Sequence, residues 1–320
     1  MLQDEKRRES RSLGWLFLVS MILHVLQSLA FNVLAQKGIE PPVEVLLVFS
    51  ELSILVPTLI YILIKRLSFR EDLGFRRIKA GTFFMCLLLT ILVMPVASFF
   101  NVLSQLFVSN TMVQMSDELL GGSGVMVLIL GSLYGPFCEE FLFRAVFAGR
   151  YETIAGPLRA GFISAVLFAL AHMNINQACY AFVLGFIFAV INKAAGSVYP
   201  SMIIHIGINA VNILLMLVME SAYKAMGVDI DIAAAAEAAR GSDVLYVMIG
   251  VTLVAAIICT AIAIPCVVFV AKHEGHIEEL TGMFTGKHPS GGWLSIPLVI
   301  GVCFVLFVML GLGPLLKMLA

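Results

Sequence analysis

Three groups of polar or aromatic side chains lie inside apolar runs of this chain, each at the spacing of one helical face. Glu139 and Glu140 stand with Arg144 in CEEFLFR, Phe168 with His172 in FALAH, and His205 with Asn209 in HIGIN. Ionisable groups at membrane depth are costly, and they mark function by default. Together these residues supply two carboxylates, two imidazoles, one guanidinium and one amide. That set can run a hydrolysis with water alone, with no metal, no cofactor and no Ser or Cys nucleophile.

Helical geometry divides the labour. Glu140 and Arg144 are i, i+4 and share a face, whereas Glu139 points roughly 100° away from Glu140 at 3.6 residues per turn. Both carboxylates therefore cannot pair with Arg144. The simplest assignment lets Glu140 neutralise Arg144 and leaves Glu139 facing a cavity as a candidate general base. A buried network that merely holds helices together is the competing reading, strongest for Glu140 and Arg144. His172 follows Phe168 by one turn, on a helix whose Gly161, Ala165 and Ala169 form a small-residue stripe suited to close packing in membranes. His205 and Asn209 also share a face, with Asn212 close to it. Imidazole and amide N–H groups converging on one point suit an oxyanion; they would also serve as polar glue between helices.

These residues need helices to hold them. The chain has 320 residues, 60% hydrophobic and only 13% charged, against about 25% charged in a soluble domain. The expected fold class is all-α: a polytopic membrane bundle of about 8–9 transmembrane helices around an intramembrane cavity. Spans of about 20 apolar residues are expected near 13–35, 43–64, 80–108, 124–148, 158–174, 177–193, 198–219, 243–271 and 293–318. The fifth and sixth are short, with a tight turn at Asn174–Asn176. Lys6, Arg7, Arg8 and Arg11 precede the first span, which is long enough to be retained rather than cleaved as a signal. With the N-terminus inside, Lys and Arg divide sixteen to four in favour of the inner side, as the positive-inside rule asks. Lys287 counts to the inner side and Lys317 to the outer. Glu139, His172 and His205 then lie about 14, 20 and 9 Å from the inner ends of their helices at 1.5 Å per residue. That is close enough to meet in one inner-half cavity.

The expected organisation is N-terminal membrane helices over 1–119, a core over 120–219 and C-terminal membrane helices over 220–320. Residues 67–80 mix Phe69, Leu73, Phe75 and Ile78 with charges, as an interfacial stretch or a basic loop would. The Ala-rich 220–242 segment is expected to form a short outer helix. His273, His276 and His288 with Glu274, Glu278 and Glu279 read as a solvated turn more readily than as a metal site. Six cysteines, all in apolar runs and without a CxxC pair, suggest neither disulfides nor a zinc ribbon.

At Glu139–Arg144 (EEFLFR), Phe168–His172 (FALAH) and His205–Asn209 (HIGIN), the chain resembles the CPBP family. These are the CAAX-protease and bacteriocin-processing intramembrane proteases, also called the abortive-infection protein family. Its marks are EExxxR, FxxxH and HxxxN in that order, and Tyr199-Pro200-Ser201 is a family-like lead-in to the third. The resemblance covers about residues 120–215. It implies a glutamate-dependent membrane endopeptidase in which Glu139 activates water and His172 helps to bind it. His205 and Asn209 would stabilise the oxyanion, and Glu140, Arg144 and Phe168 would support the site. No cofactor is expected and no nucleic acid. The expected partners are membrane lipids and a membrane-associated peptide or a prenylated or lipidated protein. A bacterial plasma membrane with the N-terminus cytoplasmic is the expected location, and a bacteriocin or pheromone precursor a plausible substrate. Three rivals stand beside this reading. One is a zinc protease using Glu139, His172 and His205, although the chain has no HExxH. The others are a transporter and a non-catalytic regulator or immunity protein.

Overall fold

A chain this apolar has no water with which to satisfy its backbone, so each crossing must bond internally, as helices do. The computed structural model describes residues 3–227, 232–286 and 292–312, and all regular structure among them is helical. The long helices are α1 (Gln3–Gln36), α2 (Val43–Lys65), α3 (Ala80–Ser104), α4 (Gly124–Ala155), α5 (Pro157–Ala171), α6 (Ile175–Ala195) and α7 (Tyr199–Met226). They are followed by α8 (Ile232–Arg240), α9 (Asp243–Glu274), α10 (Ile277–Thr285) and α11 (Ile296–Phe307). Among the described residues, seven helices are long and apolar enough to cross a membrane: α1 to α4, α6, α7 and α9. The protein is a polytopic helical membrane bundle.

The expected spans at 158–174 and 293–318 are the two shorter apolar helices, α5 and α11. The span at 177–193, expected short, is the 21-residue α6. Lys287, His288 and Lys317 lie outside the described residues. The α8 helix stands where a short helix was expected, and Arg240 at its end donates to the carbonyls of Gln105 and Phe107.

Breaks between the site-bearing helices have local causes. Gly156 ends α4 at φ 83°, which a side chain would resist, and Pro157 then opens α5 at a position that needs no N–H. After α5, Met173 takes a left-handed φ of 52°. Asn174 then caps α6 by accepting from Gln177 N at 2.8 Å. The turn expected at Asn174–Asn176 therefore comes earlier, because Asn176 is already helical. Its amide reaches Asn101 at 2.9 Å and Ser104 at 2.8 Å on α3.

The main core joins Phe17 of α1, Ile54 and Tyr61 of α2, Phe143, Phe147 and Tyr151 of α4, Phe168 of α5 and Met202 of α7. A second core joins Leu89 and Val93 of α3 to Phe188 and Ile191 of α6 and Ile204 of α7. The small-residue stripe on α5 does meet α6. A Cβ on Gly185 would stand 3.0 Å from the Ala165 Cα, and one on Gly161 would stand 3.0 Å from the Ala189 Cβ. Overpacking of this kind costs about 1–3 kcal/mol. Gly185→Val should therefore lower stability by that order and displace α5 with its His172. Thermal unfolding in detergent would show it, and an unchanged midpoint would mean that the helices separate freely.

The segment between α2 and α3 is an irregular strap packed on the bundle. Leu73 is buried, the Gly74 carbonyl accepts from Val198 N at 3.0 Å, and the Arg76 carbonyl accepts from Ser197 Oγ at 2.6 Å. Phe69 and Phe75 pack their rings on Phe141. At the same end of the bundle, Glu9 of α1 gathers Lys65 and Arg150, each at 2.7 Å, and the Tyr61 hydroxyl, also at 2.7 Å.

Candidate active site

The Glu pair sits on an unusual helix. Within α4, π-helical stretches at Leu130–Tyr134 and Phe141–Ala148 bracket an α-helical Gly135–Glu140. Such widened turns recur at functional sites because they redirect side chains and loosen backbone pairing. Nothing in residue spacing announces them. Here one of them meets a neighbour: the Asn209 amide of α7 donates to the Gly131 carbonyl at 3.1 Å.

Glu140 and Arg144 are sealed, with side chains 0% and 1% exposed, and their closest atoms stand 3.3 Å apart. The contact is an ion pair by distance, but its atoms are not aligned as a hydrogen bond. The guanidinium lies instead over the Phe168 ring at 4.4 Å and the Phe188 ring at 5.4 Å, a cation–π placement. Its Nη1 reaches Ser164 Oγ at 3.5 Å, and that hydroxyl donates to the Phe143 carbonyl. Glu140 Oε1 accepts from His205 Nδ1 at 3.1 Å.

Glu139 is arranged differently. Its side chain is 20% exposed, and both of its oxygens face imidazoles. Oε1 is 3.9 Å from His172 Nε2, and Oε2 is 3.5 Å from His205 Nε2. The tautomers follow from the partners on the far side of each ring. A carbonyl or carboxylate can only accept, so His172 Nδ1 donates to the Phe168 carbonyl at 2.9 Å and His205 Nδ1 donates to Glu140. In its neutral form each ring thus presents an Nε2 lone pair toward Glu139. The 3.9 Å gap is too long for a direct hydrogen bond and fits a bridging water. Phe168 fixes both rings edge-on, with its centroid 4.9 Å from that of His172 and 5.7 Å from that of His205.

The structure therefore brings Glu139, Glu140, Arg144, Phe168, His172 and His205 together from α4, α5 and α7. Asn209 lies one turn along α7 from His205, with one of its two amide hydrogens committed to Gly131. Among the described residues, no three His, Cys, Asp or Glu side chains are arranged to hold a metal ion. Near α10, Glu274 accepts from Lys79 N and from Thr82 Oγ, and His276 contacts Glu279 at 3.2 Å. Surface pockets of about 170 and 240 Å³ lie elsewhere, one beside Arg240 and the other among Asp4, Arg7, Arg8 and Arg11.

Two ionisable residues of the N-terminal helices escaped motif reading. Glu51 of α2 has a carboxyl oxygen that is inaccessible and lacks a hydrogen-bond partner among the described residues. His24 of α1 directs Nδ1 to Ser53 Oγ at 3.0 Å. The signal that finds them is their mere presence inside apolar spans.

Residues 121–211 match the family model "Type II CAAX prenyl endopeptidase Rce1-like". A protein of Bacillus subtilis (strain 168), "Putative membrane peptidase YdiL", is 25% identical over 92 residues. The match takes in 29% of this chain and 38% of that protein, well short of its full length. No solved structure matches the chain. Glu139, His172, His205 and Asn209 all fall inside the matched segment, and over residues 121–211 the chain is similar to the type II CAAX prenyl endopeptidase Rce1-like family.

Proposed function

We propose that this protein is a membrane-embedded endopeptidase in which Glu139 activates a water molecule. The observation that carries the reading is the contrast between the two neighbouring glutamates. Glu140 is spent on Arg144 and His205, while Glu139 is accessible and faced by two imidazole Nε2 atoms. Glu139 takes a proton from water as the water oxygen bonds to the peptide carbonyl carbon. His172 Nε2 accepts a hydrogen bond from the second O–H of that water and orients the attack. The oxyanion is stabilised by N–H groups of a protonated His205 and of Asn209. On collapse the C–N bond breaks and Glu139 returns its proton to the leaving nitrogen. Atoms and charges balance, and Glu139 is ionised again. Phe168 keeps both rings in place.

The substrate is proposed to be a membrane-associated peptide or the membrane-proximal tail of a protein, of CAAX type or a bacteriocin or pheromone precursor. It would enter with the N-terminus of the enzyme on the cytoplasmic side. The test is cleavage of quenched fluorogenic peptides, with and without a farnesylated CAAX end, by protein in liposomes. Activity should survive chelation and fall about 10²-fold or more in His172→Ala, the scale of a lost acid–base partner. Activity killed by chelator and restored by zinc would replace this mechanism with a metal one.

A further inference from the structure

The reaction proposed above leaves one half-buried glutamate without a task. Glu51 belongs to α2, outside the segment matched by the family model. It packs on Gly135, where a Cβ would stand 3.6 Å from Glu51 Oε1. Gly135 lies one turn before Glu139 on the same helical face, and Glu51 is within electrostatic reach of Glu139, Cys138 and Tyr134. The other Glu51 oxygen has neither water contact nor hydrogen-bond partner among the described residues.

The neighbouring charges offer no compensation. Facing α2 from α4 are Tyr134, Cys138 and Glu139, and from α1 there is His24, held on Ser53. Arg144 is committed to Glu140. At the two ends of α2, Glu44 accepts from Ser123 N at 2.6 Å and Lys65 pairs with Glu9. An ionised carboxylate without a partner is expensive in such a place. Two carboxylates within electrostatic reach of one another repel when both are ionised.

We propose that Glu51 is a third carboxyl group of the active site, holding one proton in common with Glu139 and so setting the pH range in which Glu139 works as a base. Glu51 is a positioning residue for this proton and forms no bond to substrate. With the proton on Glu51, Glu139 is ionised and ready. When Glu139 takes the water proton both groups are neutral, until the departing amine carries that proton away. This inference rests on Glu139 being the base.

The test uses the full chain in liposomes and infrared spectroscopy, which reads the carbonyl stretch of a protonated carboxylic acid without any substrate. Wild type at neutral pH should show this band and Glu51→Gln should lack it. In Glu139→Gln the band should persist, with its titration midpoint lowered by about one pH unit or more, because the adjacent carboxylate is gone. A band that survives Glu51→Gln, or a midpoint that Glu139→Gln leaves in place, overturns the shared proton. Cleavage by Glu139→Gln would instead remove the base itself, whatever the band does, so the two failures are distinct.

Discussion

Glu139→Gln is expected to lower kcat/KM by about 10²–10⁴-fold, the range that a positioned general base supplies. The substitution keeps nearly the same volume and leaves the ring contacts of Phe168 with His172 and His205 undisturbed. An amide cannot take the proton of the attacking water, so the loss should appear in kcat with little change in KM. Glu140→Gln should behave otherwise. Its carboxylate neutralises a sealed guanidinium and receives His205 Nδ1. Removing that charge should weaken folding as well as turnover. Single-turnover cleavage of a fluorogenic peptide, with unfolding of each variant measured in the same detergent, separates the two effects. If Glu139→Gln turns over like wild type, water activation by Glu139 is wrong.

Arg144→Met is expected to cost about 3–5 kcal/mol of stability, the usual result of stripping one partner from a buried ion pair. Both side chains are sealed, at 1% and 0% exposure, so no water can replace the lost charge. The Glu140 carboxylate would keep His205 as a partner but lose its counter-charge. Methionine fills the slot between Phe168 and Phe188, so the penalty comes from charge rather than from a cavity. The double variant Glu140→Leu/Arg144→Met should recover most of the loss, because replacing a whole buried pair by apolar groups is often neutral or better. It should remain inactive, because His205 loses the acceptor that sets its tautomer. Reversible unfolding of the four proteins forms a double-mutant cycle. A single variant within about 1 kcal/mol of wild type would show that the pair is solvated, as surface pairs are.

The helical character of the chain and the pairing of Arg144 with Glu140 rather than Glu139 were both legible in the sequence. They depend on local geometry: 3.6 residues per turn puts i and i+4 together wherever the helix lies. The small-residue stripe on α5 was legible for the same reason, since its period alone marks a face for close approach. Helix lengths were less so. The 15-residue α5 and the 21-residue α6 differ because their ends depend on Gly156, Met173 and Asn174, whose roles come from backbone turns and not from hydropathy.

What only the tertiary structure decided is which helices meet. Glu51 and His24 stand in apolar runs but belong to no motif, and no spacing connects residue 51 with residue 139. Their neighbourhood arises from α2 packing on α4, and inter-helix packing is set by side-chain shape across both surfaces rather than by the period of either. The π-helical turns around Glu139 belong with this, because an extra residue per turn is held by neighbours such as Asn209 on Gly131. The sequence by itself determined the chemical groups and the helical face each one shares with its near neighbours. The fold decided their company, because contacts between distant segments are a property of two surfaces and a single helix carries only one.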